Sequence, residues 1–275
     1  MDGTDDKLMR SRAGPAKAGH YVRIAIPIAA WLVLMWAGVA SAETMAWNIQ
    51  GERREALVFA PSTPPAGGRS PLVLAFHGRG DEVHSFQLVL LQRAWPDALV
   101  VYFQGLEGGA NGLTGWQVEC GQDHDRDLKL VDAALATLRE KYRVDEDRIY
   151  ATGYSNGAMF TYLLWAERPR VFAAFATVAG RLRPSVQPAQ PRPLLHVAGE
   201  RDMQVAFADQ KEAMATAVRV NGVRGATAPC GDGCTLYGGG TPAPVMTWIH
   251  PGGHVYPRSA SERIAAFFRG HPRRM

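Results

Sequence analysis

The stretch Ile149-Tyr150-Ala151-Thr152-Gly153-Tyr154-Ser155-Asn156-Gly157-Ala158-Met159 sets a serine between an apolar, strand-like run and a helix-like run that continues to Ala166. A serine on a sharp strand-to-helix turn is held in a strained backbone conformation with its hydroxyl raised above a sheet. Such a turn is so crowded that only small residues fit two before and two after it. Gly153 and Gly157 occupy those two places. The spacing predicts a nucleophile elbow, and its context must decide it: a strand before, a helix after, and an acid and a histidine later in the chain.

Working outward, the chain alternates between the two periods. Leu72 to Phe76 is apolar on both faces, as a strand inside a parallel sheet covered by helices must be, and it ends in the glycine-rich His77-Gly78-Arg79-Gly80. An early strand is expected over Arg54 to Ala60, a mixed helix around Phe86 to Trp95, a buried strand at Ala98 to Phe103, and a flexible glycine-rich loop from Gly105 to Gly115. Asp127 is placed to cap a helix whose apolar positions run from Leu128 to Leu138. Beyond the elbow come a buried run at Phe172 to Val178, a Pro-rich connector, and a strand at Leu194 to Val197. A helix at Gln210 to Val220, a strand at Val245 to Ile249 and a helix at Glu262 to Phe268 follow. The order β-α-β-α predicts an α/β domain, a mostly parallel central sheet with helices on both faces, over residues 43–275, and the elbow makes the αβ-hydrolase arrangement the expectation within it.

A serine hydroxyl is a weak nucleophile until a histidine takes its proton, and the histidine needs a carboxylate to fix its tautomer and stabilise the imidazolium. In the αβ-hydrolase order the acid and then the histidine follow the serine, each on a loop at the carboxyl end of a later strand. Asp202, after the Leu194–Val197 strand, and His254, after the Gly252-Gly253 turn, fit that order. Glu200 and Asp209 are the rival acids, and His250 the rival base, but His250 ends a strand and reads better as a packed residue. The oxyanion donors expected in this arrangement are the amide of Asn156, next after the serine, and an amide of the early loop, assigned to Arg79. The Arg79 side chain is expected to do no more than face solvent. Trp116 and Tyr256 are candidate walls for the acyl group, although Trp116 reads equally well as a buried anchor for its loop.

Lys7, Arg10, Arg12, Lys17 and Arg23 precede the apolar segment Ile24 to Val39, which ends in Ala40-Ser41-Ala42. This is the layout of a signal peptide cleaved after Ala42, and it predicts a secreted or periplasmic protein with no membrane association after cleavage. Removing residues 1–42 takes away five basic and three acidic residues and leaves 25 Lys+Arg against 23 Asp+Glu, a net charge of +2. No basic run that could track phosphates remains, so nucleic acid is not an expected partner. Cys120, Cys230 and Cys234 leave one thiol over: Cys230-Gly-Asp-Gly-Cys234 can close a small loop, and Cys120 with either of them is the competing pairing. Ligand spacing for a metal is lacking, and the chemistry needs no cofactor.

His77-Gly78, Tyr102-Phe103-Gln104-Gly105, Trp116, Asp127, Asp147 through Met159, Asp202 and Gly252-Gly253-His254 together resemble the secreted esterases related to polyhydroxybutyrate depolymerases and to feruloyl and acetylxylan esterases. The resemblance spans roughly residues 54–268. It implies a serine esterase with Ser155 as nucleophile, Asp202 as acid and His254 as base, acting on a small or polymeric ester. A hydroxyalkanoate ester is the first expectation for the substrate and a feruloyl or acetyl ester of plant polysaccharide the second. Phe103 stands where those esterases usually carry proline, and Val255-Tyr256 where they usually carry Thr-Trp, so the departures fall on the pocket. A non-catalytic binding protein on the same fold is the alternative of another class, disfavoured because all three triad residues are present.

Overall fold

A computed structural model describes residues 42–273, except 64–66 and 109–110. The export signal expected over residues 1–42 therefore lies outside the described residues, Ala42 apart. In chain order the elements begin with β1 (Glu43–Ile49), β2 (Glu52–Phe59), β3 (Ser70–Phe76), α1 (Val83–Phe86), α2 (Leu91–Ala94) and β4 (Leu99–Phe103). A hairpin of β5 (Leu106–Gly108) and β6 (Leu113–Gly115) precedes α3 (Arg126–Lys141), β7 (Val144–Tyr154) and α4 (Asn156–Glu167). Then come β8 (Ala174–Val178), β9 (Leu194–Gly199), α5 (Phe207–Val220), β10 (Thr227–Pro229), β11 (Cys234–Tyr237), β12 (Val245–His250) and α6 (Ala260–Gly270).

The main sheet runs β1-β2-β4-β3-β7-β8-β9-β12-β11-β10. Its middle, from β4 to β12, is parallel, and both margins are antiparallel. Strand β3 shows why the sheet must be covered on both sides. Leu72, Leu74 and Phe76 pack into one core with α3, α4 and α5, whereas Val73 and Ala75 pack into the other with α1, α2 and α6. Alternate residues of one strand thus fill two layers, which is the αβ-hydrolase architecture expected.

Three local readings change. The single helix expected at Phe86 to Trp95 is broken into short turns, the end of α1, a 3₁₀ turn at Gln87–Val89 and α2, and the last break falls where Leu90 takes a left-handed φ of 61° and the Leu91 amide donates to the Tyr102 hydroxyl at 2.9 Å. The Gly105–Gly115 segment is the β5–β6 hairpin rather than a loose loop. A Cβ on Gly105 would lie 2.7 Å from the Gly115 carbonyl, so glycine is there for close approach. Asp127 does not cap α3. It sits buried in the first turn, where its carboxylate meets the buried Arg54 guanidinium at 2.7 Å and accepts the Gln117 amide at 2.6 Å. Cys230 and Cys234 are disulfide-bonded, and Cys120 is free and exposed.

One buried polar group makes the fold pH-sensitive. His196, on β9, is enclosed against Tyr162, Thr177 and Gln210, and burial lowers its pKa to about 4. Between pH 6.5, the ordinary value, and about 4, the unfolded chain binds a proton that the native state refuses. Stability therefore falls as pH drops through that window, by about 3 kcal/mol from this residue. His77, also lowered by burial, acts in the same direction. Urea midpoints measured across the window should decline, and His196→Gln should make the decline shallower by one proton; equal slopes would refute the assignment.

Candidate active site

The elbow is where β7 ends and α4 begins. Ser155 has φ 53° and ψ −113°, outside the favoured regions, and its amide donates to the Val178 carbonyl of the neighbouring strand at 2.8 Å. The glycines leave room for the turn. A Cβ on Gly157 would lie 2.2 Å from the Phe76 carbonyl oxygen, and one on Gly153 would lie 2.2 Å from that of Gly157. The cost of the strained serine, of order 1–3 kcal/mol, is offset by this packing between the elbow and the end of β3.

Ser155, His254 and Asp202 meet above the carboxyl edge of the sheet. His254 Nε2 is 2.9 Å from Ser155 Oγ, and His254 Nδ1 is 2.8 Å from Asp202 Oδ2. An ionised carboxylate only accepts, so Nδ1 carries the proton and Nε2 is left free to receive the serine hydroxyl. Asp202 is 5% exposed. Burial alone would raise its pKa, but the Val205 amide, the His254 ring and the Gln204 amide hold it below the ordinary carboxylate value. The loop carrying His254 is held from the elbow itself, where the Tyr154 hydroxyl donates to the His254 carbonyl at 3.0 Å. Burial pushes the Tyr154 phenol up to about 12, so it remains a donor across the working range. Of the rivals, Glu200 and Asp209 are not the acid on the imidazole. His250 turns its Nδ1 to the Gly252 amide at 3.1 Å.

Asn156 begins α4, where the first amides have no carbonyl partner within the helix and point outward together. The His77–Gly80 loop lies beside it: a Cβ on Gly78 would be 3.5 Å from the Ser155 Cβ. His77, buried at the start of that loop, accepts the Gly105 amide at Nε2 (2.9 Å), so its Nδ1 carries the proton donated to the Gly78 carbonyl at 2.6 Å. The Arg79 side chain does not simply face solvent. Its guanidinium donates to the Gly108 carbonyl and to Asn111 Oδ1, pinning the β5–β6 hairpin to the loop. The Asn156 side chain is also engaged, accepting the Trp116 amide at 2.7 Å and donating to the Trp116 carbonyl at 3.2 Å.

The two aromatics expected to flank the acyl group are placed unlike one another, Trp116 buried and Tyr256 half-buried. Trp116 is 3% exposed, stacks on Phe160 and donates its indole N–H to the His77 carbonyl at 2.9 Å. It is the anchor of its loop. Trp116→Ala should therefore cost about 3–5 kcal/mol of stability and reduce activity alike on acetyl and bulky acyl esters. Thermal melts together with kcat/KM on both ester sizes check this, and a loss confined to bulky esters would restore the pocket wall. Tyr256 packs edge-on to Phe86 and Tyr154, and its hydroxyl lies 3.1 Å from Ser261 Oγ. It is half-buried and packs beside the Tyr154 ring, which itself lies against His254. Tyr154, Gln210 and the side chain of Asn156 are site residues that sequence reasoning missed. Tyr154 and Asn156 left a signal, both being inside the elbow motif, and Gln210 left none.

Among the described residues, no group of three or more His, Cys, Asp or Glu side chains is arranged to hold a metal ion, and no helix is long and apolar enough to cross a membrane. The profile described as the prolyl oligopeptidase family matches residues 116–187. The chain is 35% identical over 173 residues to "Putative esterase NocK" of Nocardia uniformis subsp. tsuyamanensis, covering 60% of this chain and 50% of that protein. It is 30% identical over 157 residues to the bifunctional acetylxylan esterase/xylanase XynS20E of Neocallimastix patriciarum, covering 56% of this chain and 22% of that protein. The chain thus matches half or less of the length of these curated relatives. Among solved structures, an acetyl xylan esterase from Aspergillus awamori superposes with a TM-score of 0.62 at 15% identity, covering 82% of this chain and 99% of that one. A ferulic acid esterase from Anaeromyces mucronatus superposes with a TM-score of 0.58 at 13% identity, covering 84% and 90%. Sheet order, elbow and superpositions agree, and the chain is an αβ-hydrolase by fold.

Proposed function

We propose that this protein is an exported serine esterase that cleaves carboxylic esters through an acyl-enzyme. The observation that carries the reading is the unbroken hydrogen-bonded line from Ser155 Oγ through His254 to Asp202. Ser155 Oγ attacks the ester carbonyl carbon while His254 Nε2 takes its proton, and the amides of Asn156 and Arg79 receive the oxyanion. His254 then gives the proton to the departing alcohol oxygen. Water, deprotonated by the same ring, attacks the acyl carbon, and the proton returns to Ser155 as the acid leaves. Asp202 stays ionised throughout, orienting the ring and stabilising the imidazolium.

The substrate reading favoured by the relatives' names is an acetyl or hydroxycinnamoyl ester of a polysaccharide. A hydroxyalkanoate ester is the second reading, and one observation favours it. Met203, 92% exposed, and Val255, 47% exposed, directly follow Asp202 and His254 in the chain, so the two loops that carry the acid and the base each bear an exposed apolar side chain. Single exposed apolar residues are common, but two beside one triad suit an apolar ester chain. A fluorophosphonate probe should label Ser155 in the wild type and not in Ser155→Ala, which separates the enzyme from a binding protein on the same fold. Relative kcat/KM on acetylated xylan, methyl ferulate and 3-hydroxybutyrate oligomers then ranks the substrates. Absence of both labelling and turnover would overturn the esterase reading.

A further inference from the structure

Asp202 receives a donor that the triad chemistry does not require. Its Oδ1 accepts the Gln204 and Val205 amides, each at 2.9 Å, while its Oδ2 accepts both His254 Nδ1–H and, at 3.0 Å, Gln210 Nε2–H. Gln210 comes from α5 and is fully buried. Its amide can stand only one way round. The nitrogen faces two pure acceptors, Asp202 Oδ2 and the Val205 carbonyl at 2.8 Å, so both amide hydrogens are used and the oxygen must point away.

That oxygen meets His196 Nε2 at 3.3 Å, which makes Nε2 the protonated nitrogen and leaves Nδ1 bare. The bare nitrogen, with its single lone pair, accepts the Tyr162 hydroxyl at 2.7 Å, and the Thr177 hydroxyl, 3.0 Å from the same nitrogen, donates to the Tyr162 oxygen at 3.4 Å. Every donor in this buried line therefore points towards the carboxylate. The Thr177 hydroxyl of β8 donates to Tyr162 of α4, Tyr162 donates to His196 of β9, His196 donates to Gln210 of α5, and Gln210 donates to Asp202. Two adjacent strands of the sheet and two helices on one of its faces fix one side-chain amide.

We propose that Gln210 is a positioning residue for Asp202, its amide oriented by His196, Tyr162 and Thr177 so that it fixes the angle at which the carboxylate meets His254. This rests on the triad reading above. A carboxylate accepting two amides on one oxygen can still swing the other; the Gln210 donor removes that freedom, and the imidazole inherits the alignment. A misalignment of the base acts on proton transfer in the transition state and leaves the binding of the ester alone, so the effect belongs in kcat.

The test is Gln210→Met, which keeps the length and volume of the side chain and removes both donor and acceptor. With p-nitrophenyl acetate, and activity counted per serine titrated by a fluorophosphonate, kcat should fall about tenfold with KM unchanged. Because Gln210 acts through Asp202, the same substitution placed on Asp202→Ala should cost nothing further. Gln210→Leu is the second variant, should the methionine form fail to fold. A kcat equal to wild type, or the same tenfold factor in the wild-type and the Asp202→Ala backgrounds, would overturn the positioning role while leaving the esterase intact. Loss of labelling and turnover in the wild type would overturn the triad reading and the inference together.

Discussion

Ser155→Ala is expected to lower kcat for p-nitrophenyl acetate by about 10⁶-fold, and His254→Ala by about as much. The two act as one unit. Without the hydroxyl there is no atom to form the acyl bond, and without Nε2 at 2.9 Å there is no acceptor for its proton. What remains is whatever the oxyanion donors and binding contribute to attack by water, some 10³–10⁴-fold over the uncatalysed rate. Asp202→Ala should be milder, about 10⁴-fold, because the ring stays in place but loses its tautomer and its counter-charge. Stability should change little at Ser155, since alanine meets the same backbone strain. His250→Ala is the control, because that ring touches the Gly252 amide and not the nucleophile. A Ser155→Ala protein with one hundredth or more of wild-type kcat would mean that another group makes the attack. Activity lost in His250→Ala but kept in His254→Ala would move the base.

What could be read from the chain beforehand follows from where the constraints are local. The elbow packs its requirements into five consecutive residues, so Gly153, Ser155 and Gly157 announce it. Parallel strands buried on both faces announce themselves as unbroken apolar runs, as at Leu72 to Phe76. Chain order and the glycine turns pick out Asp202 and His254, the two residues that the fold brings into a hydrogen-bonded line with Ser155. By contrast, β1 is an edge strand covered on one face only, with Met45, Trp47 and Ile49 inward and the residues between them exposed, so it gives no unbroken apolar run to notice. The Arg54–Asp127 pair joins residues 73 apart in sequence, so Asp127 looks locally like a helix cap and only the folded chain shows its partner. The same holds for Gln210, an ordinary polar residue in a helix until His196 and Asp202 close around it. Trp116 leaves two readings open for a more general reason. An aromatic after a glycine-rich loop near a catalytic serine suits a pocket and a core equally, and only the indole N–H on the His77 carbonyl tells them apart.

Gly157→Ala is expected to lower stability by roughly 3 kcal/mol or more and kcat by about two orders of magnitude, although the added group is a single methyl. The methyl would sit 2.2 Å from the Phe76 carbonyl oxygen, 2.6 Å from that of His77 and 2.6 Å from the Phe76 carbonyl carbon, all of them backbone atoms. No side chain can rotate away to make room. Either α4 lifts off the end of β3, or the loop carrying Gly78 and Arg79 is pushed outward. The first movement carries the Asn156 amide with it, and the second carries the Arg79 amide, so in both cases the two amides proposed to hold the oxyanion part company with Ser155. A displacement of about 1 Å at reacting groups is enough for a 10²-fold loss. The ordinary effect of exchanging glycine for alanine has the opposite sign, because alanine restricts the unfolded chain, and Gly270 supplies the comparison. It ends α6 with nothing within 4 Å of where its Cβ would be, so Gly270→Ala should stabilise by about 0.4–1 kcal/mol with kcat unchanged. Urea unfolding of the two variants side by side, with kcat measured per titrated serine, separates the contact from the composition. If Gly157→Ala melts with the wild-type midpoint and turns over at the wild-type rate, the elbow is not held by its approach to β3, and the strain at Ser155 must be carried elsewhere.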